Sequence, residues 1–244
     1  MPRLAVVRTT LAITALSTFL TACSDSSAPA SPISGTETTA PTASASAGAD
    51  KDTLIISSVN FQMRIRSFHA SGTTTALGGG STEMWWVPQQ GLHVRTTSDR
   101  TGKTSDVFCK DGTTYTSATL LADALRQSGR ADPTVPSSLS DAYVTSQGQP
   151  CDAYYKIPEM AKPEPEQDST VNGVKTFAVA AAAGPTQDVY QIANEGTYRL
   201  LQQKSTRDGR TSTTTYDSFG EKFTITMPPK DKTITMSEFR SRVG

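Results

Sequence analysis

From residue 78 onward the chain is punctuated at short intervals by tight-turn residues: Gly78-Gly79-Gly80, Gln89-Gln90-Gly91, Arg100-Thr101-Gly102, Asp111-Gly112 and, further on, Asn172-Gly173, Gly184-Pro185, Asn194-Glu195-Gly196, Asp208-Gly209 and Phe219-Gly220. Short turns join antiparallel neighbours, whereas parallel strands need a crossover of about a dozen residues or more. The spacing therefore predicts a meander, with strands at 81–87, 92–97, 104–109 and 113–116. After residue 172 it predicts strands at 174–183, 187–193, 197–205, 210–219 and 222–227. Residues 59–66 alternate cleanly, with Val59, Phe61, Met63 and Ile65 on one side and Asn60, Gln62, Arg64 and Arg66 on the other. That is the period of a half-buried strand. A short tyrosine-rich strand is expected at 152–157.

One helix interrupts the meander. Ser117 is placed to cap it, Leu120, Leu121, Ala124 and Leu125 form an apolar stripe at spacings of three and four, and Gly129 closes it. Residues 131–150 are rich in Pro and Ser and are expected to be mobile, with a short helix or strand at 139–144. Residues 159–169 read as a charged loop, and 237–243 as a short basic helix. The fold class expected is α+β, a largely antiparallel sheet of many strands with few helices.

The N-terminus is of another kind. Arg3 and Arg8 precede an apolar run over 11–22, too short for a comfortable span of a ~30 Å hydrocarbon core. The run ends at Leu20-Thr21-Ala22-Cys23, which resembles the bacterial lipobox, the alternative being an ordinary signal peptide with a chance cysteine. Residues 1–22 are thus expected to be a lipoprotein signal peptide, and Cys23 the lipidated first residue of a protein held on the outer side of a cell membrane. Several acyl chains together anchor a protein stably. Residues 24–50 are almost wholly Ser, Ala, Thr, Pro and Gly, with Ile33 the one large apolar side chain. Such a segment buries too little to offset its ordering entropy. As a flexible coil it reaches roughly 28 Å, enough to hold a domain over 51–244 clear of the lipid.

The formal charge is zero, from 23 basic and 23 acidic side chains, and carries no footprint for nucleic acid. Only His69 and His93 are available as neutral-pH bases, and each stands alone. The chain has no His-Glu-x-x-His, Gly-x-Ser-x-Gly, Ser-x-x-Lys or Gly-x-Gly-x-x-Gly, and the triple glycine leads towards a strand. Glu164 and Glu166 read as solvated members of a Pro-rich loop. No ligand cluster for a metal is legible, and no cofactor is expected. An enzyme is not expected.

With Cys23 assigned to the lipobox, Cys109 and Cys151 remain as an even pair in an oxidising compartment. A disulfide is expected, two free thiols being the alternative. Trp85 and Trp86 are adjacent in a predicted strand, so one faces away from the core. An outward tryptophan marks a partner, glycan or membrane contact, or lies under a loop.

Several segments resemble the actinobacterial lipoproteins of the LppX and LprG group, which share a half-barrel architecture with the lipoprotein carrier LolA. They are Asp106-Val107-Phe108-Cys109-Lys110-Asp111-Gly112-Thr113-Thr114-Tyr115, Val171-Asn172-Gly173-Val174-Lys175-Thr176-Phe177, Asp188-Val189-Tyr190-Gln191-Ile192, Asn194-Glu195-Gly196, Tyr216-Asp217-Ser218-Phe219-Gly220 and Met227-Pro228-Pro229. The resemblance covers roughly residues 54–229 and departs from the group's pattern between 131 and 169, where the group has more helix. It implies a strongly curved sheet with helices on its concave face and an apolar pocket between them, taking an acyl lipid or a lipoprotein. Phe61, Met63, Ile65, Leu120, Leu121 and Leu125 are the residues placed near such a pocket, or else they form a filled core. The other class consistent with the sequence is a surface interaction or sensor module that encloses no ligand.

Overall fold

The structure is a computed structural model, and it describes residues 51–129 and 133–243. The expected signal peptide, the lipidated Cys23 and the tether fall outside the described residues. The described chain opens with α1 (Lys51–Ile65) and continues through β1 (Phe68–Thr74), β2 (Gly80–Val87), β3 (Gly91–Ser98), β4 (Thr104–Lys110) and β5 (Thr113–Ser117) to α2 (Ala118–Gln127). There follow β6 (Tyr143–Gln147), β7 (Lys162–Pro163), β8 (Ser169–Val171), β9 (Val174–Ala183), β10 (Thr186–Ala193), β11 (Leu200–Arg207), β12 (Arg210–Asp217), β13 (Thr233–Thr235) and α3 (Met236–Val243).

All strands join one sheet, in the order β13-β6-β5-β4-β3-β2-β1-β12-β11-β10-β9-β7, with β8 also on β9. Every pairing is antiparallel except β13 on β6. The α+β class is thus realised as a large, open, curved sheet with helices on one face. None of the described helices is long and apolar enough to cross a membrane.

One sequence expectation fails near the start of the described residues, and one strand there had no expectation at all. The alternating stretch 59–66 lies largely in α1, not in a strand. Positions 59 and 63, like 61 and 65, are four apart, so a four-member alternation satisfies the helical period as well as the strand period. Ile56, Val59 and Met63 form the buried stripe, while Phe61 and Ile65 on the opposite side are 49% and 48% exposed. Asp52 in the first turn and Arg64 in the last complement the helix dipole. The strand that does follow, β1, went unread because Phe-His-Ala-Ser-Gly-Thr-Thr has the composition of a loop. It is a strand because β2 pairs along its whole length on one side and β12 on the other.

Register assigns the faces. Phe68 and Ala70 of β1 lie opposite Trp86 and Met84, and these lie opposite Leu92 and Val94. Together with Cys109, Val179, Tyr190, Ile192, Leu200 and Tyr216 they form the floor of one core cluster, roofed by the stripe of α1 and by Tyr155, Ile157 and Ala161. The same face continues across β5 to Val144, the partner of Thr116. There Ala118 and Ala122 of α2, Leu139, Ala142 and Phe239 of α3 build a second cluster. All three helices therefore cover the same, concave face.

Between Pro133 and Pro150 the chain is ordered by its neighbours, contrary to the mobility expected. Residues Ser137–Leu139 form a 3-10 turn, and β6 is held between β5 and β13. The expected strand at 152–157 is instead a 3-10 turn at Cys151–Tyr154, after which Tyr155 and Ile157 enter the core. Asn60 pins this segment to α1, its Nδ2 donating to Ile157 O at 2.8 Å and its Oδ1 accepting from Ile157 N at 2.9 Å. The expected strand at 222–227 is a segment outside any regular element, held where Ile225 N donates to Gln90 Oε1 at 2.7 Å.

The core carries an alkaline liability. Phe68 meets Tyr155 and Tyr216 edge to face at 5.1 and 5.6 Å. Burial pushes the Tyr155, Tyr190 and Tyr216 phenols well above their ordinary range. In the unfolded chain a phenol ionises near pH ~10. The folded state holds these protons longer, so their contribution is complete below about pH 10 and is lost as pH rises beyond it. Raising pH above about 10 is expected to give a cooperative rise in absorbance at 295 nm that coincides with loss of far-UV circular dichroism. A gradual titration of all seven tyrosines with the sheet intact would be inconsistent with these phenols being buried.

Candidate functional site

Beside its two core clusters the concave face carries an open space at the start of α1. There the helix start meets β9 and the β10–β11 connection in a cleft of about 260 Å³. Its walls are Ile55 on the helix, Phe177 and Val179 on β9, Pro163 on β7 and Tyr198 before β11. Phe177 and Val179 point to the concave side because they pair with Ile192 and Tyr190. The Phe177 and Tyr198 rings meet at 6.0 Å and 89°, an edge-to-face contact that fixes the apolar wall. Lys51, Asp52 and Asn194 complete the lining as its polar members. Continuing along β9, Ala181 packs partly buried against the same core, and its small side chain keeps that side of the strand low.

The six residues assigned to a pocket from sequence are not brought together. Met63 is sealed in the first core cluster, and Leu121 and Leu125 pack against the second. Leu120 is half-buried on α2, and Phe61 and Ile65 face outward. The physical reason is the helical period at 59–65, which divides the supposed row between two sides of α1. The cleft residues Ile55, Phe177 and Tyr198 were missed. Tyr198 follows a turn, and Ile55 precedes the stretch that alternation brought to notice.

Cys109 and Cys151 are joined in a disulfide with their Cα atoms 5.5 Å apart. Cys109 is fully buried in the first core cluster, and Cys151 packs partly buried against it. The bond ties β4 to the turn that feeds Tyr155 under α1.

The opposite, convex face carries both histidines. One transverse row runs Asp217, His69, Trp85, His93, Phe108, Tyr115 across six neighbouring strands. His69 Nδ1 lies 3.0 Å from Asp217 Oδ1, and His93 Nε2 lies 2.6 Å from Asp106 Oδ1. His93 stacks on Phe108 at 4.2 Å and on Trp85 at 5.2 Å, and Arg95 sits 5.7 Å over the Trp85 ring. Of the two tryptophans, Trp86 is therefore the core residue, its indole N–H donating to Arg64 O at 3.0 Å, and Trp85 the outward one. Among the described residues no group of three His, Cys, Asp or Glu is placed to hold a metal ion.

No family model matches the chain, and no curated protein matches it either. Solved structures similar to it include an uncharacterized conserved protein of Thermus thermophilus, with 9% identity, 76% of this chain and 99% of that one covered, and a TM-score of 0.49. LprF of Mycobacterium bovis has 10% identity over 73% of this chain and 97% of its own, with a TM-score of 0.39. The lipoprotein LppX of Mycobacterium tuberculosis has 9% identity over 72% and 98%, with a TM-score of 0.41. LppX is a member of the group that the sequence motifs resemble. At these scores the likeness is one of outline, and function is read from the chain's own residues.

Proposed function

We propose that this chain is a lipid-anchored protein of the outer side of a cell membrane that binds a hydrophobic ligand, one acyl chain at a time, in the cleft between α1 and β9. The observation that carries the reading is the wall formed by Ile55, Phe177, Val179 and Tyr198, which gathers apolar and aromatic side chains around an open space. Burying apolar surface contributes roughly 25 cal/mol per Å². A space of about 260 Å³ holds part of one chain rather than a whole diacyl lipid. Lys51 at the lining supplies a cation for a carboxylate or phosphate head. The sequence motif around Cys23 supports the anchor, and the serine- and threonine-rich segment over 24–50 supports a domain able to move over the membrane that holds it.

A diazirine fatty acid photo-crosslinked to the full chain in phospholipid vesicles tests this. Label is expected on peptides containing Ile55 and Phe177, and it should fall at least tenfold in Phe177→Asp and in Ile55→Trp, which fills the cleft without adding charge. Label confined to other peptides, or unchanged in both variants, would refute the assignment.

A further inference from the structure

The convex face holds a second cleft of a different chemistry, about 430 Å³, where the aromatic row runs out against the segment that follows β12. Asp106, Phe108 and Tyr143 form its floor, the start of α2 one side, and Thr226, Met227, Pro228 and Pro229 the other. Every charge in the lining is already matched within the protein. Asp106 Oδ1 takes both His93 and Arg95, and Lys232 Nζ donates to Asp141 Oδ2 at 2.6 Å. A site so balanced selects neither an anion nor a cation.

What it offers instead is hydroxyls and faces. Ser117, Thr119, Ser140 and Tyr143 bring hydroxyl groups, each able to donate and to accept. Ser117 occupies the N-cap position of α2, yet its side chain makes no capping bond. Its Oγ is buried and has no hydrogen-bond partner among the described residues. A buried hydroxyl without a partner is costly, and a group that meets it recovers that cost. The N–H of Ala118 is taken by Ala142 O, and the next N–H groups of the first turn have no cap side chain. Apolar surface from Met227 and Pro228 lines the same cleft.

We propose that this cleft binds a short neutral oligosaccharide, whose ring hydroxyls meet Ser117, Thr119 and Tyr143 and whose C–H faces lie on Met227 and Pro228. The saccharide is the ligand class that presents uncharged hydroxyls and apolar ring faces together, matching both walls. Sites built to hydrogen-bond a hydroxyl reject analogues that lack it far more strongly than they reject a change of apolar volume. This site is separate from the acyl cleft, on the other face of the sheet, and does not depend on it.

The test uses the full chain in phosphatidylcholine nanodiscs and saturation-transfer NMR with three probes, mannotriose, maltotriose and chitotriose. At least one is expected to bind, and to bind tenfold or more weakly to Thr119→Val and Tyr143→Phe. Ser117→Val is the stronger variant, and the first two keep the test valid if it unfolds. Ile55→Trp should leave saccharide binding unchanged while abolishing fatty-acid labelling. No transfer from any probe to the wild type, transfer unaffected by the three cleft variants, or displacement of the saccharide by a fatty acid would each overturn the proposal.

Discussion

Reducing the Cys109–Cys151 disulfide is expected to lower stability by about 4 kcal/mol. The bond closes a loop with a sequence separation of 42, and the chain-entropy model assigns about that value to a loop of this length. The loop contains β5, α2 and β6 and leads into Tyr155, so the crosslink restrains the second helical cluster and the roof of the first together. For a domain of this size each kcal/mol shifts the melting temperature by about 2–4 °C, so the melting temperature should fall by roughly 8–16 °C with reductant. Thermal melts with and without reductant, and a Cys109→Ala/Cys151→Ala variant, measure it. Because Cys109 is fully buried, the double variant should fall slightly further than the reduced protein. A shift under about 2 °C would mean that β4 and residues 151–157 are held together without the bond.

Gly72→Ala is expected to cost about 3 kcal/mol or more and to act across the whole sheet. A Cβ at Gly72 would stand 1.9 Å from Thr213 O and 2.8 Å from Thr214 Cα, both backbone atoms of β12. Backbone in a paired strand cannot swing aside as a side-chain end can, so the strands must separate. β1 is also the strand that joins the two halves of the sheet, with β2 on one side and β12 on the other. Gly72 pairs with Thr82 and with Thr214. Loss of this seam should appear as early hydrogen exchange in β1 and β12 together. Ser71→Ala, one residue away, serves as the control and should change stability by less than about 1 kcal/mol. Equal stabilities for the two variants would show that β12 can shift without cost.

What was legible in the sequence was the turn grammar. Asp111-Gly112, Asn172-Gly173 and Asp208-Gly209 each place a residue of positive φ before a glycine, and each sits at the hairpin it announced. The strands β2 to β5 and β9 to β12 followed from those turns to within a few residues, and the Cys109–Cys151 pairing followed from the cysteine count. What was not legible depended on partners distant in sequence. β1 has too little alternation to announce itself and is made by strands on both sides. α1 shares its apolar spacing with a strand over residues 59–65. Residues 222–227 have strand composition but meet no free edge. The cleft residues Ile55, Phe177 and Tyr198 come from three separate segments, and only the fold shows that they share a space.

Native mass spectrometry of the full chain, released from bacterial membranes in a mild detergent, tests ligand binding most directly. One non-covalent adduct with the mass of an acyl-bearing molecule is expected, beyond any covalent modification, and Ile55→Trp should lose it. A wild-type protein without that adduct, which also takes up no added fatty acid, would contradict ligand binding.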